Sequence, residues 1–235
     1  MRAVISNAGC GLPAAALVNP AVANWVRVHG ITVTAHDDDE LDLLQFTGIR
    51  PVQIVYCCGP AAAPLAPIGR AATLGVSRFI VTTSQQIARV ADGARTTRYL
   101  YLDEHAPLVL GDRRLRIIGL HGDVDDAGGA VEWASVVERL LCRSVVLKTC
   151  GSPITRITLS GGSTDIWLRS QTDRLASIVS AVDVALRTGC ERRQLMRPAV
   201  SLSPLTAAGS LVPADPAPGR RKHPRGWTRF HAGVA

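Results

Sequence analysis

Short apolar runs alternate with longer segments of helical periodicity along most of the chain, and this alternation constrains the fold more than any other feature. An apolar run followed by an amphipathic segment is typical of a parallel βα unit, because the strand is buried beneath the helix. The predicted strands are 31–35, 52–57, 79–82, 99–102, 116–120, 157–159 and 194–196. The predicted helices are 20–29, 40–45, 64–74, 84–90, 130–142 and 173–186. These units predict a TIM-type barrel or a doubly wound sheet, and periodicity does not choose between them.

The positive charge of the chain is concentrated near its carboxyl end. The 235 residues carry a net charge of +7, and residues 187–235 hold nine Lys and Arg against only Glu191 and Asp215, so the remainder is neutral. From residue 203 onward proline, alanine, glycine and serine dominate, and such a composition buries too little apolar surface to fold. We therefore expect one folded domain over residues 1–202 and a disordered, basic, Pro-rich tail over residues 203–235.

Composition also bears on partners and location. The basic tail carries Trp227, which offers a stacking surface, but basic tracts are more often simply solvated, so we do not expect a nucleic-acid partner. No uninterrupted apolar run reaches about 18 residues, and residues 1–10 lack the apolar core of a signal peptide, so we expect neither a membrane span nor secretion. Six cysteines without CxxC spacing indicate reduced thiols in a cytoplasmic protein.

Two glycine-containing motifs stand at the ends of predicted strands. The first is Gly119-Leu120-His121-Gly122-Asp123, and the second is Leu159-Ser160-Gly161-Gly162. Together with Asn19-Pro20-Ala21-Val22 and the order of the strands, they resemble the barrel of the fold-type III pyridoxal-phosphate decarboxylases. This family contains the diaminopimelate, ornithine and arginine decarboxylases and is related to alanine racemase. The resemblance implies a TIM-type (β/α)8 barrel, complete or lacking a unit, and pyridoxal phosphate as the cofactor.

The resemblance also indicates which of the family's working residues this sequence replaces. The lysine that holds the cofactor as a Schiff base corresponds to Ala15, whose methyl group cannot form that bond. The histidine that stacks on the cofactor ring corresponds to Asp123, and the Gly-Ser after it to Asp125-Asp126. The glutamate that keeps the pyridine nitrogen protonated corresponds to Arg197, and the phosphate-contacting Gly and Arg to Ala199-Val200. An arginine beside the pyridine nitrogen disfavours the protonated ring that decarboxylation needs.

Gly161 and Gly162 are the cofactor-binding candidates that remain, because backbone N–H groups without a neighbouring Cβ can approach a phosphate. A tight turn between a strand and a helix explains the same two glycines, and the sequence favours the turn. His121 is a catalytic candidate, although a single histidine at a strand end is more commonly structural. We therefore assign no catalytic residue.

Two acidic clusters and one cysteine pair offer other chemistry. There are two candidate sites for a hard cation. One is the run Asp37-Asp38-Asp39-Glu40, which directly follows His36, and the other is the group around His121 and Asp123. Acidic residues in these places are also typical of a helix N-terminus and of a solvated loop, so we predict no metal site. Cys57-Cys58 at a strand end offers a thiolate, but the sequence shows no histidine beside it, and buried cysteines are common.

The enzymes of this family carry a C-terminal β-domain that completes the active site across a dimer interface, and we expect this chain to lack it. The sequence thus predicts a decarboxylase-like barrel that has lost cofactor binding and catalysis. The alternative is an active pyridoxal-phosphate decarboxylase or racemase with an altered site or with a lysine donated by a partner subunit. A homodimer also stays open, because loss of an accessory domain exposes apolar surface.

Overall fold

The structure, a computed structural model, describes residues 8–108, 112–163 and 172–205. Over these ranges the chain forms a closed barrel of eight parallel strands, in which each strand pairs with the next along the sequence and the last returns to the first. The prediction of a TIM-type barrel is confirmed, and the alternative of a doubly wound sheet is excluded. The strands are β1 Ala8–Pro13, β2 Thr32–Ala35, β3 Ile54–Cys57, β4 Arg78–Val81, β5 Arg98–Asp103, β6 Leu115–Val124, β7 Arg156–Gly161 and β8 Ala199–Ser203.

Helices cover the outside of the barrel, and α5 and α6 pack along each other. The link between β5 and β6 contains no helix in its described parts, on either side of residues 109–111. No helix within the described ranges is both long enough and apolar enough to cross a membrane. The helices are α1 Pro20–His29, α2 Asp38–Phe46, α3 Ala66–Thr73, α4 Ser84–Asp92, α5 Gly129–Thr149 and α6 Thr172–Arg193.

Capping residues fix where several helices begin. Asn19 accepts a hydrogen bond from the backbone N–H of Ala21 at 3.0 Å at the start of α1. Asp37 accepts one from the N–H of Glu40 at 2.8 Å, which places three acidic residues in the first turn of α2. These carboxylates stabilise the positive end of the helix dipole. The interpretation of the acidic run as a helix N-terminus is therefore confirmed.

Most of the core lies between the barrel and its helices, where Trp133 of α5 and Phe79 of β4 are fully buried. A smaller apolar cluster fills the barrel interior and consists of Val55, Ile80 and Tyr101. The hydroxyls of Ser160 and Ser203 lie 2.9 Å apart across β7 and β8.

The first and last strands lie elsewhere than the sequence indicates. The predicted strand at 194–196 is wrong, because Met196 is 91% exposed and β8 begins at Ala199. β1 ends at Pro13, before Ala15, the position that the resemblance assigns to the cofactor lysine. Pro13, which removes a backbone donor, is the last residue of β1, so the strand still pairs with both β2 and β8. The 1–202 boundary predicted for the barrel falls one residue before the end of β8, and the tail from 206 onward lies outside the described residues.

Candidate functional site

A cavity of about 320 Å³ opens at the carboxyl ends of the strands, and we refer to it as the barrel mouth. In parallel barrels this end holds the binding and catalytic residues, because the loops after the strands converge there. A larger cavity, of about 460 Å³, lies at the opposite end between α5 and the segments that precede β7 and β8. The barrel mouth is the better candidate site because its titratable side chains come from several different strand ends. They are His36, Cys57, Asp103, His121 and Asp123.

His121 of β6 is buried in the wall of the barrel mouth, with 3% of its surface exposed. Its Nε2 donates to Asp123 Oδ1 at 3.0 Å, and its Nδ1 lies 3.0 Å from Thr158 Oγ1 on β7. Both ring nitrogens are therefore engaged within the wall. This arrangement joins β6 to β7 and leaves His121 poorly placed to exchange a proton with a ligand.

Asp123 is the more exposed partner of this pair, with 60% of its side chain accessible. Burial of the carboxylate acts to raise its pKa, but the hydrogen bond from His121 and the charges of His121 and His36 outweigh it, so the pKa of Asp123 is lowered. The barrel mouth consequently presents a carboxylate at the end of β6.

Gly161 ends β7, and its lack of a side chain is explained by packing. A Cβ atom built on it would lie 2.7 Å from Cζ2 of Trp133 and 2.9 Å from Cβ of Val124, closer than real Cβ atoms approach. Gly162 follows with φ of 64°, a left-handed conformation that favours glycine in a turn. The two glycines thus serve the strand-to-turn geometry that the sequence favours.

Asp125 and Asp126 are engaged within the protein fold. Asp125 accepts from the N–H of Ala127 at 3.1 Å and caps a short turn before α5. Asp126 accepts from Trp133 Nε1 at 3.1 Å and from Arg174 Nη2 at 2.6 Å. Both carboxylates therefore organise the start of α5.

Two residues assigned to cofactor positions lie elsewhere in the fold. Ala15 is in the single turn of 3-10 helix after β1, where it is exposed, so it is not the strand position of a cofactor lysine. Arg197 precedes β8 at the amino end of the barrel and pairs with Asp183 of α6. It cannot face a cofactor ring in the barrel mouth. The carboxyl end of β8 instead presents Ser203, whose Oγ lies 2.9 Å from that of Ser160. These assignments fail because the motif match is displaced from the strands that the chain forms.

Pyridoxal phosphate does not fit the described residues of the barrel mouth. No Lys or Arg lines it in the described ranges, and β1 contains no lysine. The barrel's one lysine, Lys148, lies in the last turn of α5 at the opposite end, where Nζ donates to the carbonyl of Gln194 at 2.9 Å. An anionic phosphate would also meet the carboxylates of Asp103 and Asp123.

The structure brings Cys57 together with His36 and Glu40, a connection that the sequence does not show. Ala35 of β2 pairs with Tyr56 of β3, so His36 and Cys57 follow at adjacent strand ends, and both line the barrel mouth. Nδ1 of His36 lies 3.1 Å from Oε2 of Glu40 in the first turn of α2. Parallel strand ends that follow each other in the chain are neighbours, and this rule is the signal that could have revealed the pair.

Gln86 of α4 holds the loop that follows Cys57. It is fully buried, and its Nε2 donates to the carbonyls of Cys58 and Gly59 at 3.2 and 3.1 Å. Its Oε1 accepts from the backbone N–H of Thr82 at 2.8 Å. One side chain therefore links the end of β3, the end of β4 and the start of α4.

Neither acidic cluster forms a metal centre in the part of the chain that the structure describes. Within those ranges, no group of three or more His, Cys, Asp or Glu side chains is arranged to hold a metal ion. The carboxylate of Glu40 is directed to His36, and that of Asp37 caps α2.

No protein-family model and no curated protein matches the sequence, whereas many solved structures match the fold. Lysine decarboxylase from Selenomonas ruminantium aligns with a TM-score of 0.67 and 14% identity over 86% of this chain and 56% of that one. Diaminopimelate decarboxylase from M. jannaschii gives 0.67 and 12% over 84% and 53%. Ornithine decarboxylase from Entamoeba histolytica gives 0.61 and 12% over 86% and 58%. The chain shares their barrel fold.

This likeness concerns the fold alone, because identities this low do not establish that functional residues correspond. The chain spans just over half the length of these decarboxylases. One of the similar structures is a complex with pyridoxal phosphate and cadaverine. The resemblance to pyridoxal-phosphate decarboxylases therefore holds at the level of the barrel.

Proposed function

We propose that this chain is a decarboxylase-like barrel protein that does not perform pyridoxal-phosphate catalysis. The observation that carries the proposal is the chemistry of the barrel mouth, whose described lining contains carboxylates and no Lys or Arg. A barrel that uses this cofactor needs an amine for the Schiff base and donors for the phosphate.

The position of the lysines supports the same conclusion. The sequence contains only Lys148 and Lys222. Lys148 is held at the far end of the barrel by its bond to Gln194, and Lys222 belongs to the tail outside the described residues. An amine at the far end cannot reach an aldehyde in the barrel mouth, because the filled barrel interior separates the two.

Gly161 at the end of β7 also supports the proposed absence of pyridoxal-phosphate catalysis. Gly161 is needed where it stands because Trp133 and Val124 occupy the space of its Cβ. A glycine that packing requires is no argument for a phosphate nest. We therefore propose a structural role for Gly161, the glycine of the motif that resembles the decarboxylase family.

Titration with pyridoxal phosphate tests the proposal directly. We expect no saturable absorbance band of an aldimine, and only unsaturable labelling of lysines after borohydride reduction and peptide mass spectrometry. The matched controls are Lys148→Arg and Lys222→Arg, each of which keeps the charge and removes one primary amine. A saturable band that borohydride fixes on one lysine, and that the corresponding Arg variant loses, would refute the proposal.

The second candidate is an active decarboxylase or racemase with an altered site, and the shared barrel fold favours it. Release of carbon dioxide from diaminopimelate, ornithine, arginine or lysine in the presence of the cofactor tests decarboxylation. Inversion of the α-carbon of the same amino acids, followed by chiral chromatography, tests racemisation. We expect neither reaction, and turnover of any one substrate would favour the second candidate.

A further inference from the structure

Cys57, His36 and Glu40 form a connected group at one side of the barrel mouth. His36 and Cys57 lie at adjacent ends of β2 and β3 and line the same cavity. Glu40 Oε2 is 3.1 Å from His36 Nδ1 and also accepts the backbone N–H of His36 at 2.7 Å. The carboxylate therefore fixes both the main chain and the ring of His36, and it engages Nδ1 of that ring.

The surroundings favour a charged imidazole. Hydrogen bonds with Cys57 and Glu40 raise the pKa of His36 to about 10, although partial burial acts to lower it. A protonated imidazole beside a thiol stabilises the thiolate, which is the nucleophilic form of cysteine. The neighbouring Cys58 is buried, and burial raises the pKa of its thiol.

We propose that Cys57, His36 and Glu40 are a nucleophilic thiol site that accepts an acyl group from a small ester or thioester. As the thiolate, Cys57 Sγ attacks the carbonyl carbon, so a carbon–sulfur bond forms and the bond to the leaving oxygen or sulfur breaks. The electron pair of that bond leaves with the departing atom, which takes the proton from His36 Nε2. Glu40 is a positioning residue that orients the ring. The products are S-acyl-Cys57 and the free alcohol or thiol, and no cofactor takes part.

The shape of the barrel mouth suits a small acyl donor. Its volume is about 320 Å³, and Pro60, Ile80 and Leu205 supply apolar surface beside the thiol. Gly59, two residues after Cys57, has φ of 72° and turns the chain away from the strand end. Cys57 lines the cavity just before this turn, and Gln86 holds the loop in that conformation.

The chain supplies its own comparison thiols. Cys142 and Cys150 are exposed, and Cys58 is buried. Cys142 Sγ accepts from Arg193 Nη2 at 3.2 Å, so Cys150 is the reference for an exposed thiol without a neighbouring cation. In the experiment, the full chain is mixed with 4-nitrophenyl acetate, nitrophenolate release is followed by absorbance, and the acetylated cysteine is located by fragment-ion mass spectrometry. We expect Cys57 to be acetylated faster than Cys142 and Cys150 by about tenfold or more, in keeping with the usual contribution of acid–base assistance.

Variants separate nucleophilic assistance from simple exposure. His36→Asn and Glu40→Gln should each reduce acetylation of Cys57 by about tenfold or more while the rates at Cys142 and Cys150 stay unchanged. Cys57→Ala should abolish the fast phase. Thermal unfolding checks the fold of each variant, and Glu40→Gln serves alone if His36→Asn does not fold. Equal rates at the three thiols, or a Cys57 rate that Glu40→Gln leaves unchanged, would overturn the proposal.

Discussion

Replacement of Gly161 by alanine tests whether the glycine that ends β7 is required by packing. The new Cβ would stand 2.7 Å from Trp133 Cζ2, 2.9 Å from Val124 Cβ and 3.0 Å from the Val124 carbonyl oxygen. Two of these neighbours belong to buried side chains and one to backbone, so none yields cheaply. Overpacking of this kind typically costs about 1–3 kcal/mol, and three simultaneous contacts place Gly161→Ala near the upper end.

Urea unfolding of Gly161→Ala at neutral pH measures this cost. The matched control is Gly30→Ala at the end of α1, where φ is 65° and no atom lies within 4 Å of the added Cβ. That control carries only left-handed backbone strain, about 1–2 kcal/mol. We expect Gly161→Ala to be the more destabilising of the two, with an unchanged dependence on urea concentration because the barrel still unfolds as a unit.

A double-mutant cycle with Trp133→Leu identifies the responsible contact. Leucine is shorter than tryptophan, so the Cβ that Gly161→Ala adds should cost less beside it, with a coupling of about 0.5 kcal/mol or more. The reasoning is refuted if Gly161→Ala lowers the free energy of unfolding by less than about 0.5 kcal/mol, since substitutions without packing strain usually fall in that range.

Three further outcomes follow from the described contacts. Asp37→Ala removes the cap of α2 and should lower the free energy of unfolding by about 1 kcal/mol, measured by urea unfolding, whereas Asp37→Asn should retain most of it. Gln86→Leu leaves buried carbonyls and an N–H without partners and should cost about 2–3 kcal/mol, while Gln86→Glu keeps the acceptor and loses the donor. Because the pKa of Asp123 is lowered, its ionised form contributes stability above about pH 4, which is lost as the pH falls through the folded-state pKa. The stability difference between the wild type and Asp123→Asn should therefore disappear in acid, and a difference that stays constant down to about pH 2 would contradict this.

The sequence predicted the middle of the fold better than its two closing strands. Helix α1 was predicted at its observed bounds, because Asn19-Pro20 and Gly30 mark both ends. β1 consists of Ala8–Pro13, which has two glycines and no β-branched residue, so strand propensity gives no signal there. β8 alternates buried Val200 and Leu202 with more accessible residues, but the apolar pattern places the strand at 194–196, just before it.

The candidate site was likewise predictable from the sequence only in part. His121 and Asp123 belong to one strand, so their proximity in space could be inferred from the sequence. Consecutive parallel strands are neighbours, so the sequence could indicate that His36 and Cys57 lie near each other. The register of β2 against β3, which sets which residues stand side by side, is specified by no local pattern. The close approach of Trp133 to Gly161 depends on side-chain packing across two elements, which no sequence pattern specifies.

Gln86 has a consequence for how the barrel mouth responds to a ligand. The loop after β3 and the first turn of α4 lie more than twenty residues apart in the chain, yet one buried amide ties them together. They are therefore expected to move as a single body. A molecule too large for the cavity would have to displace a helix as well as a loop. We therefore expect this wall to exclude large molecules from the side chains that line the barrel mouth.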